Sequence, residues 1–139
     1  MLYSNIVWLS GMFDVLHKEH IKLFKRASET LLPVMVAVAE DEQVRRVKGA
    51  NHPQLTFNDR IRALEALKLI DGIHPFSTDD ELYALLKANR PQLMLVDESL
   101  RGERVLGSAF VKQIIYIRTP DGGISRPTIV GGTHTSLCL

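Results

Sequence analysis

Two histidines three residues apart, His17 and His20, follow a glycine, a phenylalanine and an aspartate in residues 11–20, GMFDVLHKEH. Positions i and i+3 share one face of a helical turn. Where such a turn opens a helix, its first backbone N–H groups lack intrahelical partners and the helix dipole is positive, so phosphate is attracted there. An imidazole in that place donates a hydrogen bond to a phosphate oxygen or to a departing pyrophosphate. Taken alone, the pair also reads as two solvated polar residues on a surface helix, or as two zinc ligands for which the chain offers no convincing third. Asp14 suits the fixing of a loop by accepting backbone N–H bonds. Asp97 ends an apolar run elsewhere in the chain, a place from which it binds ribose, binds magnesium or caps its loop.

These residues need a scaffold, and the hydrophobic pattern supplies one. Residues 5–10 (NIVWLS), 34–39 (VMVAVA), 93–97 (LMLVD) and 113–118 (QIIYIR) are short apolar runs that read as buried strands, with 73–76 a shorter candidate. Between them lie amphipathic segments. Ile21, Phe24, Ala27 and Leu31 recur at helical spacing, as do Phe57, Ile61, Leu64, Leu67 and Ile70 over residues 56–70. Thr56 and Thr78 are in place to cap helices, and Pro91 stops the one over 78–89. Residues 101–111 predict a fourth helix, although Gly102 and Gly107 weaken it. The order β-α-β-α-β-α-β-α-β predicts a parallel sheet covered on both faces. Ligands of such sheets bind beyond the carboxyl ends of the strands, where the winding reverses. Gly11, free to adopt backbone angles other residues resist, stands at the first such end.

With 139 residues the chain fits one domain, expected over 1–130, followed by an irregular tail over 131–139. The formal net charge of +1 gives no global field toward nucleic acid or an anionic membrane, and no basic stripe with stacking aromatics appears. Cys138 is the single cysteine, which excludes an intramolecular disulfide and cysteine-based zinc frameworks and suits a reducing compartment. No apolar stretch is long enough for a signal segment or a membrane span, so a cytoplasmic protein is expected.

The segment 11–20 resembles the G-x-F-D-x-x-H-x-G-H signature of the cytidylyltransferase-like nucleotidyltransferases, the family of glycerol-3-phosphate cytidylyltransferase and the heptose-phosphate adenylyltransferases. Gly11, Phe13, Asp14, His17 and His20 match at the right spacing. Residues 46–71 resemble the family's K-G-x-x-x-P segment and the helix after it, and residues 118–129 (RTPDGGISRPTI) its closing R-T-x-G-I-S-T-T-x-I motif. The resemblance implies a Rossmann-like, doubly wound, parallel five-stranded α/β sheet of the nucleotidyltransferase type. It implies in-line attack of an acceptor's phosphate oxygen on the α-phosphate of CTP or ATP, with pyrophosphate leaving and magnesium bridging the phosphates. The protein then mostly positions and neutralises charge. By position, His17, His20, Lys48 and Arg118 become the catalytic group. Gly11, Met12, Phe13, Asp14, Arg60, Asp97, Thr119, Ser125 and Arg126 become nucleotide contacts, with Arg60 steadying either the nucleotide or the loop that bears Lys48. No residue is assigned to a resident metal. Apart from the resemblance, Lys48 reads as part of a solvated face and Arg60 as a helix residue pairing with nearby carboxylates. The partners implied are CTP or ATP and a small phosphorylated alcohol or sugar. Relatives of this kind are commonly dimers, so a homodimer is expected through Phe24, Leu31, Leu32 and the tail.

Three departures from the pattern matter. Glu19 stands where the signature has glycine, adding bulk and negative charge beside a polyphosphate. Two unit charges 4 Å apart repel by about 4 kcal/mol at a surface-like dielectric, unless the carboxylate swings away or pairs with Lys18 or magnesium. In the closing motif Arg126 and Pro127 replace hydroxyl residues, and Gly131 and Gly132 follow at once. After the fourth main strand the chain reads VDESLRG instead of the K-G-G-D-Y run of the heptose enzymes, so the acceptor pocket is not copied from them. Two functions follow: a nucleotidyltransferase, or a catalytically impaired relative serving as a nucleotide-binding or protein-interaction module. A dinucleotide-binding oxidoreductase lacks its G-x-G-x-x-G loop. The K-G-x-x-x-P spacing leans toward ATP and the G-I-S segment toward CTP, which leaves the base open.

Overall fold

In the computed structural model, residues 2–16, 18–117, 129–130 and 134–135 are described. Five strands form one parallel sheet in the order β3-β2-β1-β4-β5: β1 (Ser4–Gly11), β2 (Val34–Ala39), β3 (Gly72–Phe76), β4 (Pro91–Asp97) and β5 (Gln113–Ile117). The chain winds outward from β1 through β2 to β3. It then crosses to the other side of β1 for β4 and β5, so the winding reverses between β1 and β4. Val7 of β1 pairs with Val34 on one side and Leu93 on the other, and Trp8 with Met35 and Met94. The carboxyl ends of β1 and β4, at Gly11 and Asp97, therefore open on the same edge of the sheet, at its switch point.

Alternation along β1 sends its side chains into two cores. Val7 and Leu9 pack with Leu23, Phe24, Ala27 and Leu64, beneath α1 (Lys18–Ser28) and α3 (Phe57–Ala66). Trp8 packs with Leu82, Leu86, Met94 and Val96, beneath α4 (Asp79–Asn89) and the loop that follows β4. Thr56 caps α3 by accepting from the Asp59 amide, and Thr78 caps α4 by accepting from Glu81. Arg90 turns left-handed at the end of α4, and Pro91 opens β4, a strand position where the missing N–H is tolerated. Phe24, expected at a dimer surface, is fully buried in the α1 core, because it lies on the same helical stripe as Leu23 and Ala27. Leu31 is 91 % exposed.

Three elements differ from the sequence reading. A helix α2 (Asp41–Lys48) was not expected, although Asp41 and Glu42 at its start and Arg45, Arg46 and Lys48 at its end match the helix dipole. The helix expected over 101–111 is absent. One short 3-10 turn, Glu98–Leu100, precedes this stretch and another, Ser108–Phe110, lies within it, because Gly102 and Gly107 both take positive φ, which an α-helix does not accommodate. Beyond β5, Ile129–Val130 (β6) pair antiparallel with His134–Thr135 (β7). The ribbon crosses the boundary expected at residue 130, so residues 134–135 are not irregular. Among the described residues, no helix is long and apolar enough to cross a membrane.

Gly107 is doubly constrained: its φ is +78°, and a Cβ built there would collide with the Leu86 side chain. Gly107→Ala is expected to lower stability by about 2–4 kcal/mol, from backbone strain plus overpacking, measured as a shift of the urea midpoint at unchanged slope.

Candidate active site

The site is built at the carboxyl ends of β1, β2 and β4. Beyond Gly11 the chain does not enter α1 directly. Met12 and Phe13 turn inward, each 3 % exposed, one into each core. Phe13 takes φ of 51°, a left-handed angle uncommon for an aromatic residue, which lets the loop fold back over the strand end. Its ring meets His20 edge-on, with centroids 5.6 Å apart. His20, on the first turn of α1, is 4 % exposed and is thereby held in place by the same residue that shapes the loop.

Arg60, on α3, is fully buried beneath these loops. Its Nη1 donates to the carbonyls of Met12 (2.7 Å) and Ala39 (2.6 Å), its Nε to the carbonyl of Leu55 (3.2 Å), and its Nη2 to Asp41 Oδ1 (2.7 Å). One guanidinium thus joins the β1–α1 loop, the end of β2, the start of α2 and the loop before α3. Stranding a buried charge by removing its partner costs about 3–5 kcal/mol, so this knot is a fixed point of the site. The sequence left Arg60 between nucleotide and loop; all three of its nitrogens are spent on loop atoms, and it is not a helix-surface residue.

Asp14 makes the second tie. It accepts from the amides of Gln54 (2.8 Å to each oxygen) and Leu55 (2.9 Å), and its Oδ2 lies 3.6 Å from Nδ1 of His52. Burial alone would raise its pKa. The two backbone bonds, with help from His52 and Arg60, outweigh that and hold the carboxyl below its ordinary value of 3.8. Residues 49–55 therefore form a strap that returns from α2 to the β1–α1 loop, and Lys48, the last residue of α2, stands exposed at its head. Gly49 closes α2 with φ of 105° and its amide on the Arg45 carbonyl.

Glu19 lies in the first turn of α1 and is 7 % exposed, with a carboxylate oxygen 3.6 Å from Lys22 Nζ. Its charge is thus countered from one turn along the helix by Lys22, a partner the sequence reading did not name. At the other wall, Asp97 accepts from the Ser99 amide (2.8 Å) and so caps the turn after β4. Glu98 grips Arg101 through two bonds of 2.6 and 2.9 Å, and the Arg101 guanidinium lies 4.4 Å from the centre of the Tyr116 ring.

A family model described as cytidylyltransferase-like matches residues 8–119. The chain belongs to the cytidylyltransferase-like family. Among curated proteins, it is 31 % identical over 126 residues to the bifunctional protein HldE of Sulfurimonas denitrificans, covering 91 % of this chain and 26 % of that protein. It is 32 % identical over 119 residues to HldE of Campylobacter fetus, covering 86 % of this chain and 26 % of that protein. The chain spans about a quarter of the length of these relatives. Among solved structures, the lipopolysaccharide core biosynthesis protein of Thermoplasma volcanium shares the fold, with a TM-score of 0.64 at 22 % identity over 83 % of this chain and 97 % of that one.

Of the residues expected in the site, Gly11 and Asp97 end β1 and β4, Met12, Phe13 and Asp14 follow β1, and His20, Arg60 and Lys48 lie on α1, α3 and the end of α2. The side chains of Met12, Phe13 and Arg60 face protein, which leaves backbone as what the first two offer a ligand. His17, Arg118, Thr119, Ser125 and Arg126 lie outside the described residues. Sequence reasoning missed Asp41, His52, Gln54 and Leu55, which carry the ties. Asp41 had a readable signal as an acid opening a charged helix; the others act through main chain or one ring nitrogen and had none.

Because Asp14 has its pKa lowered on folding, its contribution to stability is fully present above about pH 4 and is lost as pH falls through the folded value. Asp14→Asn is expected to be less stable than the wild type near pH 6, with the gap closing toward pH about 3, read from thermal midpoints across that range.

Proposed function

We propose that the chain is a nucleotidyltransferase that transfers a nucleoside monophosphate from ATP or CTP to a small phosphorylated alcohol or sugar, with release of pyrophosphate. The observation that carries this reading is the convergence, at the switch point of a cytidylyltransferase-like sheet, of the tied Gly11–Asp14 loop, the first turn of α1 with His20, and the strap headed by Lys48. The electropositive first turn of α1 and the two histidines, His17 and His20, receive the α-phosphate and the leaving pyrophosphate. Lys48 neutralises phosphate charge, and Arg118, with Thr119, Ser125 and Arg126, is assigned by the family resemblance to contact the triphosphate. An acceptor phosphate oxygen attacks the α-phosphorus while the bond to the bridging oxygen of pyrophosphate breaks. The new phosphoanhydride stays with the acceptor, and no covalent enzyme intermediate forms. The residues act by orientation and charge neutralisation.

Among the described residues, no three His, Cys, Asp or Glu side chains gather as a ready metal cage. Magnesium usually keeps several waters and binds through one or two carboxylates plus substrate phosphates, so the donor set fits an ion that arrives with the triphosphate, with Asp97 the strand-end carboxylate facing the switch point. That ion supplies charge neutralisation at the phosphates. The reaction belongs in the cytoplasm, where nucleotides are abundant and Cys138 stays reduced.

The deciding assay couples pyrophosphate release to ATP or CTP, with magnesium and a panel of sugar and polyol phosphates. Turnover is expected with one pairing, and Lys48→Ala is expected to reduce kcat/KM by on the order of a hundredfold, about 2.7 kcal/mol of lost charge stabilisation. Absence of pyrophosphate with every pairing removes the proposal.

A second reading is favoured by one observation. Glu19 places a shielded carboxylate in the first turn of α1, where an incoming phosphate seeks positive potential. A chain impaired in this way serves as a nucleotide-binding or interaction module. Glu19→Gly, with Glu19→Gln as a control that keeps volume, is expected to tighten magnesium–nucleotide binding by on the order of tenfold in calorimetry. Tight wild-type binding with turnover, unimproved by either substitution, eliminates this reading.

A further inference from the structure

Lys48 is useful to a phosphate only if α2 is fixed relative to the β1–α1 loop, and α2 leaves the sheet carrying Lys48 at its far end. Two ties hold the near end of α2 and the far end of the strap: Arg60 on Asp41 and Leu55, and Asp14 on the amides of Gln54 and Leu55. Neither touches residues 49–53. Across that gap one residue makes contacts in both directions. The His52 amide donates to the Gly49 carbonyl at 3.1 Å, closing a turn directly behind Lys48. Its Nδ1 lies 3.6 Å from Asp14 Oδ2, in the phosphate loop. The charged and titratable groups around this contact are Asp14, which already takes three bonds from two amides, and Arg60 behind it. The imidazole is partly exposed, its side chain 36 % accessible, so it is no core-packing residue.

We infer that His52 is a positioning residue. Its side chain latches the turn behind Lys48 onto Asp14 and so sets where the Lys48 ammonium stands relative to the β1–α1 loop. This rests on the nucleotidyltransferase reading above. His52 touches no reacting group; it acts through Lys48. A displacement of about 1 Å in a phosphate-directed cation is enough to cost an order of magnitude or more in rate. Flexible lysine depends for its placement on the backbone that carries it.

The test is a double-mutant cycle on the full chain: wild type, His52→Ala, Lys48→Ala and the double variant, assayed by pyrophosphate release with magnesium–ATP and magnesium–CTP. His52→Ala is expected to lower kcat/KM on the order of tenfold when Lys48 is present, and by less than about twofold when Lys48 is already alanine. His52→Asn, which keeps an N–H donor at the same reach, is expected to recover most of the loss. Equal losses in both backgrounds, or none in either, overturn the inference. Amide hydrogen exchange on the same variants gives a readout independent of turnover. Faster exchange at Gln54 and Leu55 in His52→Ala supports the latch, and unchanged exchange overturns it. A wild type that releases no pyrophosphate with any pairing removes the transferase reading instead, and the exchange result then decides the latch alone.

Discussion

Everything at the carboxyl edge of this sheet hangs on one buried guanidinium. Arg60 is fully buried, so its charge must be satisfied by oxygens brought to it. Those oxygens come from Met12, Ala39, Asp41 and Leu55, four points on four different segments. Their planar fork geometry is one that lysine would not reproduce. The loop after β1 gains its rigidity from this demand and not from packing alone. Asp14 repeats the principle with the sign reversed: a carboxylate whose bonds to two amides more than offset its partial burial. The cation and the anion together fix the β1–α1 loop.

How much of this was legible in the sequence depends on what kind of signal each part leaves. Strands such as β2 declared themselves through continuous apolar runs, and Thr56 and Thr78 marked the starts of α3 and α4 through their capping chemistry. The phosphate loop was legible because its residues must be of particular types at particular spacing. The region after β4 was expected as a helix that Gly102 and Gly107 weaken, and those two glycines take positive φ and win locally. The helix α2 escaped notice because its charged residues hide a narrow apolar face of Val44 and Val47. Arg60 was singled out only by the family resemblance, which left it between the nucleotide and the loop that bears Lys48. A long-range bond to a carbonyl leaves no trace in composition or periodicity, so its partners Met12, Ala39 and Leu55 were not readable.

The charge balance at the head of α1 deserves the same physical reading. A helix start of this kind favours a carboxylate as readily as a phosphate, since both answer the same partial positive charge. Glu19 is therefore stable where it is, sheltered and paired with Lys22. Under the proposed function, the carboxylate that suits the fold opposes an incoming phosphate, so the two demands on this helix start compete.

The strand order has a consequence for how the molecule assembles. All the partners of Arg60 and Asp14 lie between residues 12 and 60, and β3 ends at Phe76. The half of the sheet made by β3, β2 and β1 can thus knot its loops together before β4 has been placed. Until then β1, with its buried run of Val7, Trp8 and Leu9, keeps one hydrogen-bonding edge open. Only the arrival of β4 closes that edge, and the same event brings Asp97 up to the cleft. Completion of the ligand site and protection of the central strand from pairing with another chain are therefore one step.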